Sequence, residues 1–282
     1  DQNRNDGANV PKGSSGPTNP PMALNSGGPD AFGYKWKDSA EPGGPVYSWV
    51  DISSVGTPVT WISGLDDGYT NLIPMGMTFN YYGTDYSSIA ASTNGFASLL
   101  ALTSSPYSNL TMPTTSTPNA LLAVEWDDHN GTAPGTCYYY HDVAQNRFII
   151  SWVNWSYYSS PYDPHNFQII LNGSDKSITY QYGTGNFHSS STVGIENEAG
   201  TVGLQVAYNQ VYLHTGLAVK FFKPTWLSTD LTGGILGVDD APRPFNVIMD
   251  ASSFGLGVHN GAILLTSNNP TQPVDTLPVA FT

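Results

Sequence analysis

At 282 residues the chain is long enough for one large β domain or for a larger and a smaller one, and two are expected. Charged residues make up only 11%, against roughly 25% in an average globular protein, and 22 Asp plus Glu against 9 Lys plus Arg leave a formal charge of -13. That balance repels phosphate backbones and anionic membranes and attracts cations, which excludes nucleic-acid binding, and the single cysteine, Cys137, excludes an intrachain disulfide and a Cys-based zinc site.

Residues 1–28 carry Pro11, Pro17, Pro20 and Pro21 among Gly, Asn and Ser, with almost nothing apolar to bury, and are expected to form a flexible arm or linker. The chain opens Asp1-Gln2-Asn3 with no apolar leader, and no apolar run reaches the roughly 18 residues that would span a bilayer. A mature, exported chain without membrane insertion is the expectation, and its place is extracellular or at the cell surface.

Residues 29–222 read as a large antiparallel β-sandwich of jelly-roll-like type. Short alternating, β-branched or aromatic runs such as Arg147–Val153, Phe167–Leu171 and Leu217–Phe222 are punctuated by Gly, Pro and Asn, and helical periodicity with a capping residue is missing. The order Phe167–Leu171, Asn172-Gly173-Ser174-Asp175, Ser177–Tyr182 predicts a hairpin whose Asn-Gly pair supplies the positive φ angles of the turn. Thr136–Tyr140 predicts a strand that buries Cys137 as an inert thiol. After Pro224 the pattern restarts with Trp226-Leu227, Phe245–Met249, Gly261–Leu265 and Leu277–Phe281, so that residues 223–282 are expected to be a smaller immunoglobulin-like β-sandwich.

Gly28-Pro29-Asp30-Ala31-Phe32-Gly33-Tyr34, continuing through Trp36, Asp38-Ser39-Ala40-Glu41-Pro42-Gly43-Gly44-Pro45, Ser92-Thr93-Asn94-Gly95-Phe96 and Val124-Glu125-Trp126-Asp127-Asp128, resembles a β-sandwich module of secreted and surface proteins of bacteria. Trp226-Leu227-Ser228, Gly261–Asn268 and Leu277-Pro278-Val279 resemble the immunoglobulin-like repeats of the abnormal-spindle and hydin type. Both resemblances imply extracellular spacers or adhesive units.

Acidic pairs in turn-rich segments are the first candidates for a metal: Asp66 with Asp67, Asp127 with Asp128, and Asp38 with Glu41. Calcium takes six to eight oxygen ligands and is the ion such loops suit, although adjacent Asp residues also simply solvate turns. The six histidines, at 129, 141, 165, 188, 214 and 259, show no metal-binding spacing; His129 beside Asp127 and Asp128 is a transition-metal candidate, but all six read first as ordinary surface side chains. Trp155, Tyr157, Tyr158 and Tyr162 form an aromatic cluster suited to stacking on sugars or on partner proteins. No nucleophile motif such as Gly-x-Ser-x-Gly occurs, so no catalytic residue is assigned.

With 17 Tyr among abundant Ser, Thr, Asn and Gly, the surface reads as neutral and Tyr-rich, the composition of an assembling interface. The leading expectation is therefore a non-enzymatic structural or adhesive protein, a self-assembling fibre or layer subunit that contacts copies of itself through residues 1–28 and its β domains. A carbohydrate-binding module that holds glycans is the alternative, and a hydrolase of unknown type is third.

Overall fold

The structure is a computed structural model that describes residues 25–132, 135–224, 227–230, 233–235, 241–249, 257–271 and 273–282. Most of the expected arm, residues 1–24, lies outside the described residues, as does Trp226. The chain divides into two units, Asp1–Lys223 and Pro224–Thr282. Among the described residues there is no helix, and every ladder is antiparallel.

The first unit holds β1 (Ser26–Gly27), β2 (Lys35–Asp38), β3 (Thr57–Pro58), β4 (Ile73–Tyr81), β5 (Thr84–Ala91), β6 (Phe96–Ser98) and β7 (Leu121–Trp126). It continues with β8 (Thr136–Asp142), β9 (Arg147–Tyr157), β10 (Ser160–Asn172), β11 (Ile178–Tyr182), β12 (Thr192–Glu196), β13 (Gly203–Tyr208) and β14 (Ala218–Phe222). One sheet has the order β1-β2-β14-β11-β10-β9-β8-β3, the other β13-β12-β7-β6-β5-β4, and together they make an antiparallel β-sandwich.

Alternation sets the core. On β10 the row Phe167, Ile169, Leu171 packs into the main cluster with Trp152, Tyr180 and Val124, while Ile170 turns to the opposite face and joins Ile149 and Ile52. β7 lies inside its sheet between β12 and β6 and is buried at every position, which is why Leu121–Trp126 is a nearly unbroken apolar run.

The tyrosines depart from the expected neutral surface. Tyr34, Tyr81, Tyr157, Tyr180 and Tyr182 are buried, and a hydroxyl that enters the core needs an acceptor, which the backbone of the facing sheet supplies for Tyr180 and Tyr182. Tyr180 donates to the Gly194 carbonyl at 2.9 Å and Tyr182 to that of Val124 at 2.6 Å. Trp152 and Trp155 on β9 do the same with the carbonyls of Ser92, at 3.1 Å, and Thr93, at 2.8 Å. Burial raises the Tyr180 and Tyr182 hydroxyls well above their ordinary pKa, so they stay protonated donors.

The β10–β11 hairpin forms, with its turn over residues 173–177. Its left-handed residue is Lys176, at a φ of 56°, and not the Asn-Gly pair. Gly173 is required for a different reason, a close approach: its amide donates to the Asn146 carbonyl at 2.8 Å, and a Cβ there would collide with the Asn146 side chain.

In the second unit, β15 (Leu227–Thr229) pairs with β16 (Val247–Met249), and β17 (His259–Thr266) pairs over eight residues with β18 (Val274–Phe281). Both pairs are two-stranded sheets.

Candidate functional site

At one end of the sandwich, five segments surround a cleft of about 440 Å³. They are the β3–β4 loop with Asp66 and Asp67, the β6–β7 loop with Tyr107, and the turn after β7 with Asp127 and Asp128. The β9–β10 connection adds Tyr157, Tyr158 and Ser159, and the β11–β12 loop adds His188 and Ser190. Candidates scattered over 93 positions from Asp66 to Tyr158 are thus brought together by the antiparallel topology, which returns alternate loops to the same end.

The rim and the floor differ. Asp66 and Asp67 are exposed and Asp128 is half-buried, and one carboxylate oxygen from each lies within 4.8 Å of the others. Asp67 is held by the Asn94 side-chain amide at 2.8 Å. Asp127 is buried and committed to the turn: one of its oxygens accepts from the Asp128 amide at 2.8 Å and the other from the Ser190 hydroxyl at 2.6 Å. It lines the cleft without joining the exposed trio.

Tyr158 is 56% exposed at the mouth, whereas Tyr157 is buried and gives the floor its aromatic face. The Tyr157 ring stacks on His188 with centroids 3.8 Å apart and on His165 at 4.5 Å. Its hydroxyl accepts from the His188 amide at 2.9 Å and donates to Oε1 of Glu125. Burial, and then the charges of Glu125 and Asp127, raise the Tyr157 pKa well above the ordinary phenol value. Burial also lowers the pKa of His188, against the opposing pull of Asp127, which favours the neutral imidazole in the cleft.

Beneath the floor lies a cluster that sequence spacing does not show. Glu125 on β7, His129 in the following turn and His165 on β10 are all fully buried, which corrects the reading of these two histidines as surface side chains. Glu125 reaches the core through a bulge. Ala123 and Trp126 both pack in the second apolar cluster although they are three apart, and the β7–β12 register shifts between them, so Val124 and Glu125 turn to the other side together. His165 falls on the core-facing row of Phe167, Ile169 and Leu171. Gly95, at a φ of 71°, lets the β5–β6 turn close over the cluster, since a Cβ would run into the Glu125 carbonyl and the His129 ring. The signal available in the sequence was Glu125 itself, one charge inside an apolar strand, which demands a buried partner.

The remaining candidates lie elsewhere. Trp155 is fully buried: the turn after β7 lies along the end of β9, with the Asn130 amide on the Ser156 carbonyl at 2.9 Å, and the ring packs 5.8 Å from Trp61. It is a core side chain and not a stacking platform. Tyr162 is 94% exposed on β10, away from the lining of the cleft. Asp38 is buried and accepts from the Tyr212 hydroxyl at 3.0 Å and the Ala40 amide at 2.9 Å, while Glu41 sits in the turn after β2 with its carbonyl on the Gly44 amide at 2.8 Å. Cys137 is buried on β8, and burial raises its thiol pKa well above the ordinary value.

Residues 44–221 match the family described as NIDO related, and this stretch contains the whole cleft. The chain belongs to the NIDO-related family. That membership makes the first unit an extracellular-type module. No curated protein and no solved structure matches the chain. Among the described residues, no helix is long and apolar enough to cross a membrane.

Proposed function

We propose that this chain is a non-enzymatic, extracellular adhesive protein that holds a hydroxyl-rich ligand of carbohydrate type in the cleft of its NIDO-related domain. The observation that supports this reading is the pairing, in one cleft, of an exposed aromatic ring at Tyr158 with the carboxylates Asp66, Asp67 and Asp128 and the imidazole of His188. An aromatic face packs against the apolar side of a sugar ring, while carboxylates and imidazole take its hydroxyl hydrogens. Calcium is the ion that the acidic trio suits, since oxygen donors from three loop carboxylates leave room for ligand hydroxyls to complete its shell.

The assembling form of the adhesive role, in which residues 1–28 dock on a neighbouring copy, draws support from one feature. Ser26–Gly27, at the end of that stretch, pairs as the outermost strand of the eight-stranded sheet, and a sheet edge is where strand addition takes place. The second unit, with its resemblance to immunoglobulin-like repeats, then serves as a spacer.

The test is a glycan array followed by calorimetry in calcium and in chelator, with Tyr158→Ala and Asp128→Asn beside the parent chain. Saccharide binding that weakens at least about tenfold in both variants supports the reading; binding unchanged in both, or no saccharide bound at all, overturns it.

A further inference from the structure

We infer that Glu125, His129 and His165 form a binding centre for a divalent transition-metal ion, of which zinc is the natural occupant, and that this ion ties the two sheets together beneath the cleft. The three side chains are fully buried and offer one ligand atom each, all within 4.8 Å of one another. Zinc bonds imidazole nitrogen and carboxylate oxygen at about 2.0–2.2 Å, so ligand atoms around one ion sit roughly 3.4 Å apart, and the cluster closes on an ion with side-chain shifts of about an ångström. Two imidazoles and one carboxylate select zinc and its first-row neighbours; calcium, which wants six or more oxygens, is not served here.

The geometry around the carboxylate favours a shared ion over a simple Glu–His pair. Oε2 of Glu125 faces Nε2 of His165 at 3.3 Å, yet neither atom has the alignment of a hydrogen bond in this fully buried position. For Glu125 and His129 the outer shell has the form that metal centres use, while Nδ1 of His165 is buried without a hydrogen bond. Oε1 of Glu125 is fixed by the Tyr157 hydroxyl, and Nδ1 of His129 lies 3.3 Å from the Asp127 carbonyl, which orients Nε2 as the ligating nitrogen. Phe167 and Phe187, with ring centroids 5.5 and 5.3 Å from His165, keep the centre dry. Because Glu125 belongs to the six-stranded sheet and His165 to the eight-stranded one, a bound ion links the layers, the part a disulfide plays in many secreted domains and one that a single cysteine cannot fill.

The experiment uses the full chain, stripped with chelator and desalted, then titrated with Zn²⁺ and separately with Ca²⁺, followed by calorimetry and thermal unfolding, with Co²⁺ as a spectroscopic probe. The expected result is one Zn²⁺ per chain, a rise in Tm with Zn²⁺ that Ca²⁺ does not reproduce, and visible Co²⁺ bands with nitrogen and oxygen ligation. His129→Gln and Glu125→Gln should weaken Zn²⁺ by more than the roughly 10- to 100-fold that loss of an outer-shell partner costs, while Asp67→Asn should leave it unchanged. A wild-type chain that takes up no stoichiometric Zn²⁺ and shows no Co²⁺ bands overturns the inference without any variant. Zn²⁺ affinity retained in folded His129→Gln, or lost in Asp67→Asn, overturns it as well.

Discussion

Two groups of ionisable side chains sit on either side of Tyr157 at the same end of the sandwich and obey opposite rules. At the rim, the carboxylates of Asp66 and Asp67 reach solvent, where water and salt screen their charges. Under the floor, Glu125 and His165 have no solvent contact, so every lone pair and proton there must be met by a protein group or by an ion. Tyr157 belongs to both, its ring forming part of the cleft and its hydroxyl gripping Glu125. Substitutions at the rim therefore meet little resistance from the fold, while the layer below is fixed by desolvation.

The contrast is sharpest for Trp155, which closes the dry side. Trp155→Ala should destabilise the chain by ~4 kcal/mol, through the cavity and the lost bond to the Thr93 carbonyl, as chemical denaturation would show. Tyr158→Ala, on the wet side, should cost under about 0.5 kcal/mol in the same assay, and a cost comparable to that of Trp155 would break the division. Next comes Tyr157→Phe, which keeps the ring stack but leaves Glu125 and the His188 amide without the hydroxyl. A loss of about 3 kcal/mol is expected, with the cleft walls otherwise in place.

A smaller effect tests what the histidine contributes. Glu196 is also a buried carboxyl, but its Oε2 accepts only the Thr114 amide and its Oε1 has no partner, and burial raises its pKa from 4.5 to about 7. Since the folded value exceeds the unfolded one, its contribution is complete below about pH 4.5 and is lost as pH rises through 7. Allowing for partial screening, stability should fall by ~2 kcal/mol from pH 5 to pH 8, and Glu196→Gln should flatten that slope. An unchanged slope in the variant would place the pH dependence elsewhere. The smallest effect belongs to the rim: Asp66→Asn should shift stability by less than about 0.5 kcal/mol, measured by Tm.

Much of the scaffold was legible because it is local. The strands around Trp152, Phe167 and Tyr180 follow from alternation, and the hairpin at residues 173–177 from its turn residues, although Gly173 is there for close packing and Lys176 takes the left-handed φ. The rim carboxylates were legible one pair at a time, as adjacent Asp residues in turn-rich segments, but their convergence with Tyr158 depends on which loops share an end. The buried centre was hidden twice over. Glu125 and His165 are 40 positions apart, and a bulge that no residue type announces reverses the face on which Glu125 emerges. Tyr180 and Tyr182 were hidden for a related reason, because their acceptors are backbone carbonyls of the facing sheet, which carry no signature in the side-chain text.

Those hydroxyl and indole bonds across the core have a mechanical consequence. Trp152, Trp155, Tyr180 and Tyr182 each fix a point of the eight-stranded sheet to a backbone oxygen of the other layer, so sliding one sheet over the other would break four polar contacts together inside a dry interior. Pulled along its strands, such a domain resists shear as a riveted plate does and yields by peeling an outer strand.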